Sequence, residues 1–183
     1  MSLSTNQATR RWVVDPERST VEFRVPNLWG LASVAGQFTR FDGTYTIGPN
    51  ERALELIVDA DGLDTGNRRR DRHLRSRAFL DAEGHPHIRF AADDVEDAGD
   101  LRVRGELEVA GAKVPLSLEA TVRELDGALE VEATTAVDQR DFGMTWSPLG
   151  MVRSPTTLHV KARLRDETRE DSNQQPAREA RDE

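Results

Sequence analysis

Apolar and charged residues take turns along most of this chain. In "LRVRGELEV", Leu101, Val103, Leu107 and Val109 fall on one face, with Arg102, Arg104, Glu106 and Glu108 on the other. "LSLEATV" sends Leu116, Leu118, Ala120 and Val122 one way, and "LEVEATTAV" does the same with Leu129, Val131, Ala133 and Val137. "TLHVKARL" separates Leu158, Val160, Ala162 and Leu164 from His159, Lys161 and Arg163, and "VEFRV" splits Val21, Phe23 and Val25 from Glu22 and Arg24. Successive side chains of a strand point to opposite faces of its sheet. A period of two therefore predicts half-buried antiparallel strands.

The turn residues agree with this. Asp126-Gly127 lies between two alternating runs, a hairpin signal because both positions tolerate positive φ. Ala110-Gly111 and Gly99-Asp100 punctuate the neighbouring runs in the same way. About eight strands are predicted, near 12–26, 34–48, 53–61, 87–95, 100–109, 113–123, 127–137 and 156–165. Gly36 and Gly43 interrupt the second and predict a bend or bulge there. Eight such strands make a sandwich or a closed up-and-down barrel, and an eight-stranded barrel is about wide enough for one small ligand. Ala120, Ala133 and Ala162 among the inward residues fit either a hollow or ordinary close packing.

Two segments depart from the alternation. Residues 66–80 have room for a short helix, and 138–155, "DQRDFGMTWSPLGMVRSP", form a long irregular link. Residues 1–11 read as a flexible arm and 12–165 as the folded domain. Residues 166–183 read as a mobile charged tail, with no aliphatic residue larger than Ala to bury.

Composition narrows the chemistry. The chain has 183 residues, a formal charge of −8 and no cysteine, which removes disulfides, thiolate catalysis and Cys-ligated metals. The net charge argues against general binding to polyanions. "MSLSTNQATRR" has no apolar stretch of a secretory signal, and no apolar run is long enough to span a bilayer as a helix. The expected compartment is cytoplasmic, and the default assembly is a homodimer.

Against that acidic background, "DTGNRRRDRHLRSRAFLD" holds six arginines. Nucleic-acid binding without sequence preference needs aromatic stacking platforms, and only Phe79 lies within the stretch, so no nucleic-acid partner is expected. Asp71 and His73, two apart, do not stack on one helical face, and no Gly-x-Ser-x-Gly elbow supplies a nucleophile. The plainer reading pairs Asp71 with nearby guanidinium groups and His73 with local partners. His85 and His87, with His159 as a third, are candidate metal ligands; two are too few and Pro86 breaks the ladder, so no metal is expected.

Six fragments in order carry a resemblance. "WVVDPERSTVEFRV" opens the series, and "VAGQFTRFDGTY" follows with Gly36, Phe38 and Gly43. The arginine stretch contributes Thr65, Gly66, Asn67, Arg70, Asp71, His73, Leu74, Ser76 and Phe79, and "HPHIRF" contributes Pro86, Ile88 and Phe90. "GELEVAGAKVPLSL" adds Gly105, Leu107, Gly111 and Pro115, and "QRDFGMTW" adds Arg140, Phe142, Gly143 and Trp146. From Trp12 to about Leu164 the chain resembles the YceI family, the lipid- or polyisoprenoid-binding proteins with a lipocalin-like barrel.

The resemblance implies an all-β, eight-stranded antiparallel barrel with a short helical lid around 66–80. It also implies an elongated apolar channel for an isoprenoid, quinone-like or fatty lipid. The arginines of the lid then have two alternative uses, holding a phosphate or polar headgroup or touching an anionic membrane transiently during loading. Beside these stands the plain reading of a solvated charged surface. With the alternation, it directs Phe23, Val25, Phe38, Leu56, Val58 and Phe90 into the channel from the first half of the chain. Leu107, Leu118, Val131 and Val160 follow from the second half, and Phe79, Phe142 and Trp146 from the irregular segments. Asn67, Arg70, His73 and Arg140 are the candidate headgroup contacts, with no resident cofactor. The expected function is sequestration or transport without catalysis. Two alternatives stand beside it: an enzyme acting on an amphiphile through Asp71, His73 and Arg140, and a stress-response interaction protein with a filled core.

Overall fold

The computed structural model describes residues 9–27, 32–49, 51–97, 99–144 and 155–167. In chain order the first strands are β1 (Arg10–Val14), β2 (Thr20–Asn27), β3 (Ala32–Phe38), β4 (Phe41–Ile47), β5 (Arg52–Asp59) and β6 (Leu63–Asp64). The helix α1 (Arg68–Arg75) comes next. After it run β7 (His87–Asp97), β8 (Leu101–Val109), β9 (Ala112–Leu125), β10 (Ala128–Val137) and β11 (Thr156–Asp166).

Every pairing is antiparallel. The ring runs β1, β4, β5, β7, β8, β9, β10, β11, and β11 closes back onto β1. Three of its staves are broken strands. β2 continues β1, β3 precedes β4, and β6 continues β5, so β11 meets β1 at Leu164–Asp166 and β2 at Thr157–Lys161. Counted this way the barrel has eight long staves, and the pairing of β11 with β1 closes the ring.

Local chemistry explains the breaks. In "DPERS", Asp15 caps a single 3-10 turn at Pro16–Arg18 by accepting the Glu17 N–H. Ser19 then donates to the Asp15 carbonyl and accepts the Arg163 N–H at 3.0 Å, so the strand resumes against β11. At the Asp126-Gly127 hairpin both residues have positive φ, 54° and 72°, as the dipeptide predicts.

Gly36 and Gly43 lie within regular ladders and produce no bulge. Gly36 instead makes space: a Cβ there would stand 2.4 Å from the Phe23 ring, which lies across the strand from it. The register shift falls in β7, between Ala91 and Asp94. It turns both Ala92 and Val95, three residues apart, into the core.

Two boundaries differ from the sequence expectation. β1 takes in Arg10 and Arg11, and Asp166 belongs to β11. A 2.7 Å ion pair from Arg10 to the buried Asp166 joins these positions, a long-range partner that alternation cannot register. The tail from residue 168 onward lies outside the described residues.

One end of the barrel is solid. Trp12 is 1% exposed there, among Val14, Tyr45, Leu101, Val103, Ala120, Leu129 and Leu164. Arg10 lies over the Trp12 ring at 4.7 Å and covers it from outside. Among the described residues, no helix is long and apolar enough to cross a membrane.

A candidate ligand cavity beneath the helical lid

The other end is hollow. A cavity of about 260 Å³ opens between the strand ends that carry Val25, Val34, Val58, Ile88, Leu116 and Thr156. Its side wall includes Phe23 and Phe38, whose ring centroids lie 5.5 Å apart, together with Leu56, Phe90, Leu107, Leu118 and Val160. Phe142 reaches the wall from a 3-10 turn, Gln139–Phe142, capped by Asp138 and closed by Gly143 in the left-handed conformation. The lid adds Arg70, Leu74, Phe79 and Leu80.

The lid is held in place by polar groups. Asn67 caps α1, accepting the N–H groups of Arg69 and Arg70 at 3.1 and 3.2 Å. Asp71 is buried, and its carboxylate takes the Thr65 N–H at 3.0 Å and the Thr65 hydroxyl. Among the described residues the partner of Asp71 is thus Thr65 and not a guanidinium. The same hydroxyl accepts from Arg70 Nε at 2.8 Å, while Arg70 Nη2 donates to the Thr65 carbonyl at 2.9 Å. Arg75 donates to the Leu63 carbonyl and pairs with Asp61. At the root of this connection Arg40 bonds Asp59 at 2.8 Å and holds its carboxyl below the usual carboxylate range.

Arg70 is the one charged side chain on the cavity wall among the described residues, and the remaining polar positions there are Thr135, Gln139 and Thr156. Its two bonds go to a neutral hydroxyl and a neutral carbonyl. The guanidinium lies at the edge of an apolar space, with Nη1 able to donate to a ligand.

The other expected contacts lie elsewhere. Asn67 is exposed and committed to the cap. His73 stands behind the wall, its ring edge-on to Phe79 with centroids 5.0 Å apart. Arg140 projects into solvent, and Asp138 beside it raises its guanidinium pKa further. Val131 faces inward below the cavity, packed with the core between Leu129 and Ala133. Trp146 lies outside the described residues.

The histidines do not converge. β7, which carries His87, and β11, which carries His159, stand across the barrel from each other. His159 bonds Thr134 at 2.8 Å on the outer surface. Among the described residues no group of three His, Cys, Asp or Glu side chains is arranged to hold a metal ion.

Alternation did mark Leu116 and Leu158, two wall residues not singled out from sequence. They share the parity of Leu118 and Val160, and only depth along the strand distinguishes them. Gln139 carried no such signal.

The fold and cavity together define a class: a closed antiparallel barrel, solid at one end, with an apolar hollow under a short helix at the other. Within that class, residues 12–164 match the YceI-like domain, and the chain belongs to that family. A UPF0312 protein of Pectobacterium atrosepticum is 32% identical over 108 residues, which are 57% of this chain and 56% of that protein. The chain thus matches little more than half the length of that relative.

Solved structures share the fold. BcnA of Burkholderia cenocepacia has a TM-score of 0.75 at 15% identity, covering 82% of this chain and 98% of its own. A polyisoprenoid binding domain from Saccharophagus degradans has a TM-score of 0.70 at 12% identity, covering 85% of this chain and 98% of its own.

Proposed function

We propose that this protein binds one slender amphiphile, an isoprenoid or other long-chain lipid, with its tail in the cavity and its polar head at Arg70. The observation that carries the reading is an apolar hollow, closed at one end, with a single guanidinium on its described wall. A cavity of about 260 Å³ lies near the lower edge of the range for small-molecule sites, which suits a single extended chain better than a fused ring system. Each methylene moved from water into such a wall stabilises the complex by about 0.8 kcal/mol, so a chain is held without many directional contacts. The binding of polyisoprenoid by the Saccharophagus degradans domain of the same fold supports the assignment of ligand class.

Binding without turnover is the reading, because the wall is aliphatic and aromatic and Asp71 is engaged with Thr65 in supporting the lid. Native mass spectrometry of gently purified protein tests it. A co-purified lipid that is released on denaturation is expected. Protein that stays empty, both as isolated and after incubation with prenyl lipids, refutes the carrier role.

A further inference from the structure

The barrel wall and the lid treat their cations differently. On the wall most are matched across strands: Arg89 with Glu55, Arg104 with Asp94 and Glu96, Lys113 with Glu106, and Arg163 with Glu130. Arg24 on β2 and Arg123 on β9 stand singly, without a carboxylate partner among the described residues. On α1 the inward face is Arg70, Asp71 and Leu74, already committed to the cavity and to Thr65. The opposite face carries Arg68, Arg69 and Arg72, and Arg77 follows in the next turn. All four are exposed, and none has a carboxylate partner among the described residues.

These unmatched cations sit on the piece of chain that covers the cavity mouth, in a protein of net charge −8. We infer that Arg68, Arg69, Arg72 and Arg77 form a docking surface for an anionic lipid bilayer, which turns the barrel mouth toward the membrane. The acidic remainder of the protein is repelled by such a surface, so lid-first approach is the attractive orientation. Guanidinium groups suit this partner because their planar forks bind phosphate oxygens in pairs. Nucleic acid fits less well, since the aromatic residue of the lid, Phe79, is buried against the cavity and offers no stacking platform. Docking deepens the carrier reading and rests on it for the lipid that would be exchanged, but the docking step is measurable separately.

The test is co-sedimentation of the full chain with phosphatidylcholine vesicles, with and without about a third phosphatidylglycerol. Binding is expected on the anionic vesicles only and is expected to fade as salt shortens the Debye length below about 8 Å. Arg68→Gln/Arg69→Gln/Arg72→Gln should weaken binding at least tenfold with an unchanged thermal unfolding curve. The wall variant Arg89→Gln/Arg102→Gln/Arg104→Gln, with the same net charge, should bind as the parent does. Equal loss in the two triple variants, equal binding to neutral vesicles, or no vesicle binding at low salt would overturn the inference, as would a preference for single-stranded DNA over vesicles. Protein that binds vesicles but never acquires lipid keeps the docking surface and removes the carrier role. Protein that carries lipid yet ignores vesicles does the reverse.

Discussion

The two ends of this barrel share one alternating pattern and do opposite things with it. At the solid end, inward residues meet around Trp12, whose indole fills the centre and leaves Val103 and Leu164 with almost no exposed surface. At the lid end the inward residues are no less apolar, but the described side chains, Phe23, Phe38, Phe90 and Phe142 among them, line a cavity, and the cover is a helix with Arg70 and Leu74 on its inner face. The difference teaches that an inward hydrophobic face does not by itself specify a core. The hollow lies under a cover that polar groups, Asp71 and Thr65, anchor beside the packed Leu74, Phe79 and Leu80.

The sharpest way to break this contrast is to remove the plug. Trp12→Ala should destabilise the protein by about 3–5 kcal/mol, the usual cost of truncating a large buried aromatic, read by thermal or denaturant unfolding. A loss below about 1 kcal/mol would mean that the solid end is not the stabilising half.

Filling the other end should behave in the opposite sense. Leu118→Trp together with Leu158→Trp places two indoles in the hollow and should weaken uptake of a fluorescent prenyl lipid by about a hundredfold, or about 2.7 kcal/mol. The unfolding midpoint should hold or rise, because the rings enter space and do not displace packed atoms. Undiminished uptake would assign the ligand to another site.

The lid anchor comes next in size. Asp71→Ala leaves the Thr65 donors without their carboxylate and should cost about 1–3 kcal/mol. Faster amide exchange should be confined largely to α1 and its flanks, whereas β8 and β9 stay protected. A uniform increase across the barrel would show that the lid and wall open as one unit.

The smallest effect concerns proton binding at the solid end. Tyr45 is 3% exposed, and burial raises its phenol pKa, with Asp97 adding to the shift and Arg52 opposing it. A raised pKa means that the native state prefers the neutral phenol more than the unfolded chain does. The associated stability is therefore complete below pH of about 10 and is lost as pH rises through the raised value. Tyr45 is the chain's single tyrosine, so the tyrosinate absorbance band reports it alone. Titration at the ordinary value in the folded protein would contradict its burial.

Much of this was readable in advance. Strand positions, the Asp126-Gly127 turn and a helical segment within 66–80 appear in the structure where the local pattern put them. Inward parity placed Phe23, Leu107, Leu118 and Val160 on the cavity wall. Depth was not readable. Val131 has the right parity but lies below the hollow, because its neighbours on β9 and β11 pair it with Val122 and Ala162 near the solid end. Arg70 and Arg140 looked alike as headgroup residues. Only the fold turns one inward against Thr65 and leaves the other outside, beside Asp138.

Sequence by itself determined the period, the turns and the sidedness of each strand, because those depend on residues one to four positions apart and on backbone sterics. Tertiary structure decided where the interior is full and where it is empty. That outcome depends on which strands close the ring, how deep each side chain sits along the axis and what covers the end, and these quantities arise from contacts between residues as distant as Arg10 and Asp166.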